Sequence, residues 1–176
     1  MARKITFNAA LMVAGALVPG HAFAAAPPAT AVGQATAALI DPLGVTPIAD
    51  LRFGQFLQPT AAGTLTVSET GAVTTTGGMV GQTGLTQANG GRGAAVFVVG
   101  GDANRALNVA IPSQATITSG VASMRVSNFT RNGNNGNSRL DSAGFYYIVV
   151  GARLTVAASQ PVGHYSGTFT VTVTYQ

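Results

Sequence analysis

Hydrophobic and polar positions alternate most regularly at the end of the chain. Between Gly163 and Gln176, Tyr165, Phe169, Val171, Val173 and Tyr175 share one parity, while Ser166, Thr168, Thr170, Thr172 and Thr174 take the other. A side-chain period of two belongs to a strand with one buried face. The chain is therefore predicted to close on a long amphipathic strand with a penultimate aromatic. Upstream, the same reading predicts strands over residues 35–40, 43–48 and 51–57, with Gly54 marking a bulge. Residues 64–68 and 72–76 flank Glu69-Thr70-Gly71, which has the length and glycine of a tight hairpin. Residues 94–99 form a continuous apolar run, short enough for a strand buried on both faces. Further strands are predicted over 105–111, where Leu107, Val109 and Ile111 alternate, and over 115–118 and 122–130. In 122–130 either face reads as inward. Residues 144–150 and 152–157 flank Gly151, which reads as a bend within one long strand.

No helical period runs through residues 25–176. Short strands separated by glycine-rich turns predict an all-β fold, a sandwich of immunoglobulin-like or jelly-roll kind. Two segments read as loops: residues 77–93, with seven glycines, and the Asn-rich tip Asn132-Gly-Asn-Asn-Gly-Asn137.

The beginning of the chain has a different pattern. Arg3 and Lys4 precede a short apolar run over residues 5–18, and Ala22-Phe23-Ala24 supplies a small-x-small cleavage site. The run is shorter than the about 20 residues that span a bilayer. Residues 1–24 are expected to be a secretory signal peptide, leaving no transmembrane segment after cleavage. Residues 25–40 are expected to be an N-terminal extension, and residues 41–176 the sandwich domain.

Removing residues 1–24 changes the charge balance. Seven arginines then stand against five acids, a net charge of +2, and the arginines are scattered singly with no basic stripe. That distribution points to no nucleic-acid partner. Cysteine is absent, which excludes thiol catalysis and thiolate metal sites. The single histidine beyond residue 24, His164, has no acid nearby in sequence, and no nucleophile-elbow motif accompanies it. Isolated acids and one histidine do not make a metal shell. The glycines of residues 78–93 lack the strand–loop–helix setting of a phosphate cradle. Asn128-Phe-Thr130 fits a glycan-acceptor triplet but falls within a predicted strand. The residues point to no enzyme, no cofactor and no metal.

The terminal strand carries a resemblance. Gly163 is fourteenth from the end and Tyr175 penultimate, with alternating apolar residues between them. This resembles the C-terminal signature of chaperone–usher pilus subunits, and the run 161–175 is similar to the ending of archaic-type pilins and spore-coat-U-like proteins. Ile48-Ala-Asp-Leu-Arg-Phe-Gly54 and Gly151-Ala-Arg-Leu-Thr-Val156 resemble a domain family of unassigned function in secreted bacterial proteins. The resemblance implies an incomplete immunoglobulin-like sandwich whose open groove is filled first by a strand of a periplasmic chaperone, then by the N-terminal extension of the next subunit. It implies export to the periplasm and onward to the cell surface, a periplasmic chaperone and an outer-membrane usher as partners, and assembly with copies of itself or related subunits. Gly163, Tyr165, Phe169, Val171, Val173 and Tyr175 would be the surface read during assembly. Val32, Ala38 and Ile40 share one parity in the extension and would be the donor side chains; residues 35–40 read equally as the domain's own first strand. The rival expectation is a self-complete secreted sandwich acting as an adhesion or binding module, with residues 77–93 and 131–139 as its variable loops.

Overall fold

The computed structural model describes residues 34–87, 91–133 and 138–176. The signal-peptide segment, Val32 and most of the extension lie outside the described residues, as do residues 88–90 and 134–137 of the two loops. The chain divides into a unit Met1–Ala37, of which only residues 34–37 are described, and a unit Ala38–Gln176.

Among its described residues the second unit holds nine strands: β1 (Gly44–Ala49), β2 (Gly63–Val67), β3 (Val73–Gly77), β4 (Ala95–Gly100), β5 (Leu107–Ala110), β6 (Gln114–Ser119), β7 (Ala122–Arg131), β8 (Phe145–Val156) and β9 (Thr172–Tyr175). All pairings are antiparallel. The larger sheet runs β1-β4-β8-β2-β3, with β7 also on β8 and β6 on β7, while β5 and β9 form a separate two-stranded sheet. The chain is thus nearly all β, in a sandwich-like arrangement.

β8 organises the core. Its even-numbered residues Ile148, Val150, Ala152, Leu154 and Val156 are buried, while Arg153 and Thr155 are exposed. The first half of the strand pairs with β4 and the second half with β2. Accordingly Ile148 and Val150 belong to a cluster with Ala95, Val99, Leu107, Val109 and Leu140. Ala152, Leu154 and Val156 belong to a second cluster with Leu65, Val67, Met79, Met124 and Val126. Gly151 stands at the changeover, where a Cβ would come within 2.5 Å of the Val67 carbonyl oxygen and 2.6 Å of the Glu69 nitrogen.

Four expectations are corrected. Residues 35–40 form no strand and are exposed; the first strand is β1, a sheet edge, where Pro47 is tolerated because the outer side has no ladder to supply. Residues 51–57 are not a strand beyond a single bridge, Arg52 to Gly93, because Gly54 takes a left-handed φ of 70°. The terminal strand shrinks to β9, since only residues 172–175 have a partner in β5. The glycine-rich segment 77–93 is more than a loop: it carries a short 3-10 helix, Gln82–Gly84, and the wholly buried Met79.

The two readings of residues 122–130 both hold, on either side of a bulge. Met124 and Val126 are buried, the register with β8 slips between Ser127 and Thr130, and Asn128 has a φ of 50°. Beyond it Phe129 packs against both clusters.

Candidate functional site

Two segments flank the core without a ladder of their own. Residues 53–59 follow the Arg52 bridge as coil, and residues 160–171 pass beside β6, to which Ser166 is joined by two backbone hydrogen bonds with Thr118 at 2.8 and 3.0 Å. A cavity of about 1060 Å³ is lined by both segments. Its apolar lining comes from Leu51, Phe53, Phe56, Phe97, Ile117, Met124, Val126, Phe129, Leu154, Tyr165 and Phe169. Leu51 and Phe129 touch both core clusters, so the cavity reaches the middle of the sandwich.

The terminal segment keeps its alternation although it is not a full strand. Tyr165, Phe169, Val171, Val173 and Tyr175 are half-buried, and the residues between them are exposed. Among the described residues no strand pairs with the second edge of β9. No backbone hydrogen bond joins residues 167–171 to another described residue outside the strand ladders. A row of apolar side chains thus reaches the core beside an unladdered main chain.

Each expected site residue has a definite place. Gly163 lies against the β6–β7 turn, where a Cβ would collide with the Ser119 hydroxyl. The Tyr165 hydroxyl donates to the Pro161 carbonyl at 2.6 Å and accepts from the buried Gln160 amide at 3.0 Å. The same Gln160 amide reaches the Ser123 carbonyl at 3.2 Å, fixing this end of the cavity to β7. Phe169 stacks at the floor, edge-on to Phe97 with centroids 6.0 Å apart and tilted against Phe129 at 5.2 Å. Val171 and Val173 rest on the cluster around Ile148. Tyr175 has an internal role: its hydroxyl accepts from the Asp102 N–H and donates to the Asp41 carbonyl, both at 2.7 Å, with Arg105 5.9 Å over the ring. Ala38 and Ile40, the described donor residues, are exposed beside a fully exposed Leu39. His164 lines the cavity mouth.

The residue that sequence reading missed is Arg92. Its guanidinium donates to four backbone carbonyls: Phe53 at 2.9 Å, Gln55 at 2.8 Å, Gln82 at 2.9 Å and Thr83 at 3.2 Å. Partial burial holds its pKa below the usual arginine value. Gln87 pairs with Gln55 through both halves of its amide, accepting from the Gln55 N–H and donating to the Gln55 carbonyl at 3.0 Å. A solitary arginine among glycines carries no sequence signal of such a role.

Among the described residues no group of three or more His, Asp or Glu is placed to hold a metal ion. The arrangement offers an apolar trough with unladdered main chain beside it, suited to taking up an extended peptide by main-chain pairing.

Residues 43–175 match the model of a family described as a domain of unknown function, DUF4402. No curated protein and no solved structure matches the chain.

Proposed function

We propose that this chain, which belongs to the DUF4402 family of unknown function, is a structural subunit of a bacterial surface fibre assembled by strand complementation. In this reading the domain is an immunoglobulin-like sandwich short of one strand. The observation that carries the reading is the apolar cavity of about 1060 Å³ between segments 53–59 and 160–171. A complete sandwich closes such a trough with a ladder, and an unfilled one leaves a strip of core and an edge exposed.

The occupant is residues 25–40 of a neighbouring copy. This segment precedes the domain, and its described part, residues 34–40, is exposed coil that carries Leu39 and Ile40 to solvent. Val32 and Ile40, if fully buried, contribute about 1.5–3 kcal/mol each. Each ladder hydrogen bond adds about 0.5–1.5 kcal/mol net. Before assembly a periplasmic chaperone would cover the same trough, and an outer-membrane usher would exchange it for the next subunit. Signal-peptide cleavage at residue 24 delivers the chain to that compartment.

The test compares residues 25–176 with the same chain carrying a second copy of residues 25–40 after Gln176 through a flexible linker. The fused protein should be monomeric and melt roughly 10–20 °C higher, the shift expected for about 5 kcal/mol in a domain of this size. The unfused protein should be polymeric or unstable. A stable unfused monomer indifferent to fusion would favour a self-complete adhesion module instead.

A further inference from the structure

We infer that Arg92, with Gln87 and Gln82, acts as a substitute strand that holds one wall of the trough in binding geometry while the trough is empty. The inference rests on the strand-uptake reading above and concerns how an unfilled groove avoids collapse.

The groups held by these side chains are the Phe53 carbonyl, the Gln55 N–H and carbonyl, and the Leu57 N–H, the last bonded to the Gln82 amide oxygen at 3.1 Å. They belong to alternate residues, the set that a neighbouring strand would pair in an ordinary ladder. Here three side chains replace the missing neighbour. Gln87 reproduces a ladder pair, since one amide both donates to and accepts from the same residue. Arg92 then ties residues 53–55 to the 3-10 turn at residues 82–83. Gly54 permits the approach, because a Cβ there would strike the Gln87 amide and lie 2.7 Å from Arg92 Cγ. Gly54 and Phe56, the intervening residues, have no hydrogen bond to another described residue through their backbone groups. The clasp therefore satisfies one set of main-chain groups and leaves the alternate set for an incoming strand.

An unladdered apolar segment beside an open core would otherwise fold inward to cover it. The clasp lowers the ordering cost of strand uptake, because the wall is already held in place when the strand arrives. The partner is an extended polypeptide with small or aliphatic side chains on one parity, as in residues 30–40.

A synthetic peptide of residues 25–40, labelled for fluorescence anisotropy, tests this on the monomeric fraction of residues 25–176, in which the trough is empty. Arg92→Ala should weaken peptide uptake at least tenfold and accelerate hydrogen exchange of the Gln55 and Leu57 amides in the empty protein. Gln87→Ala, which removes the acceptor of the Gln55 N–H and the bonds to the Gln55 and Leu85 carbonyls, should weaken uptake less than Arg92→Ala but accelerate exchange of the Gln55 amide at least as much. In the donor-fused protein the filled trough holds the wall, so either substitution should lower the melting temperature less than in the unfused chain. Failure of the unsubstituted protein to take up peptide overturns the strand-uptake reading and this inference with it. Uptake with equal affinity by all three proteins, and unchanged exchange at Gln55, overturns the clasp alone.

Discussion

Tyr175→Phe separates the hydroxyl of the penultimate aromatic from the assembly role proposed for its ring. The substitution keeps the ring and its parity, so the proposed recognition by alternating apolar side chains is unaffected. It removes a hydroxyl that joins the Asp102 N–H to the Asp41 carbonyl at 2.7 Å each. The Asp102 donor is partly buried, whereas the Asp41 carbonyl is exposed and regains water. With about 0.5–1.5 kcal/mol for each lost bond, and the exposed one at the low end, the expected loss is about 1–2 kcal/mol. That corresponds to roughly 2–8 °C in melting temperature for a domain of this size. Urea unfolding of the donor-fused protein measures it as a lower midpoint at unchanged slope. Gly101→Ala gives an internal check, because its Cβ would land on the same hydroxyl. The two substitutions disrupt one bridge, so the double variant should lose less than the sum of the singles. A Tyr175→Phe midpoint equal to the unsubstituted protein, or strict additivity with Gly101→Ala, would refute the hydroxyl bridge as a contributor to stability.

Three further outcomes follow from the packing and charge. Gly151→Ala sets a Cβ against the main chain of Val67 and Glu69 at the β8 changeover and should cost about 2–4 kcal/mol in urea unfolding; a cost below measurement error would mean the strands separate freely there. Gly163→Ala should destabilise by about 1 kcal/mol through the Ser119 hydroxyl, and Ser119→Ala should restore most of the loss; no rescue would show the clash is not the cause. The Glu69 carboxyl is held below the usual glutamate range, chiefly by the Thr130 hydroxyl at 2.7 Å. A depressed folded pKa stabilises the fold above the unfolded value, and that contribution is lost as pH falls through the folded value. Thr130→Val should therefore flatten part of the acid limb of a stability–pH curve below the ordinary glutamate range, and parallel curves would contradict it.

The period-two pattern made most strands legible, because burial of one face imposes it locally. β5 and β8 follow directly from Leu107–Val109 and from the even-numbered run 148–156. It misled where pairing decides the outcome. Residues 51–57 and 163–171 have strand-like composition, yet a strand requires a continuous ladder, and among the described residues each segment has only a single bridge, Arg52 to Gly93 and Ser166 to Thr118. These two over-predicted segments line the trough. Residues 122–130 looked ambiguous because the bulge at Asn128 turns different parities inward along its two halves. Arg92, Gln87 and Met79 were unreadable, since their roles come from contacts with segments far away in sequence. Tyr175 was legible as one of the half-buried positions of the terminal alternation, but its bridge between Asp41 and Asp102 depends on where the turn after β4 lies.

The central claim is that the trough between residues 53–59 and 160–171 takes up an extended strand. Amide hydrogen exchange, read residue by residue in the donor-fused protein and in the monomeric fraction of the unfused protein, tests it most directly. Strand uptake predicts strong new protection in the fused protein at Gly54, Phe56 and residues 167–171, with little change at Leu65, Ile148 and Leu154 in the existing ladders. Identical exchange at Gly54, Phe56 and residues 167–171 in both proteins would contradict the claim.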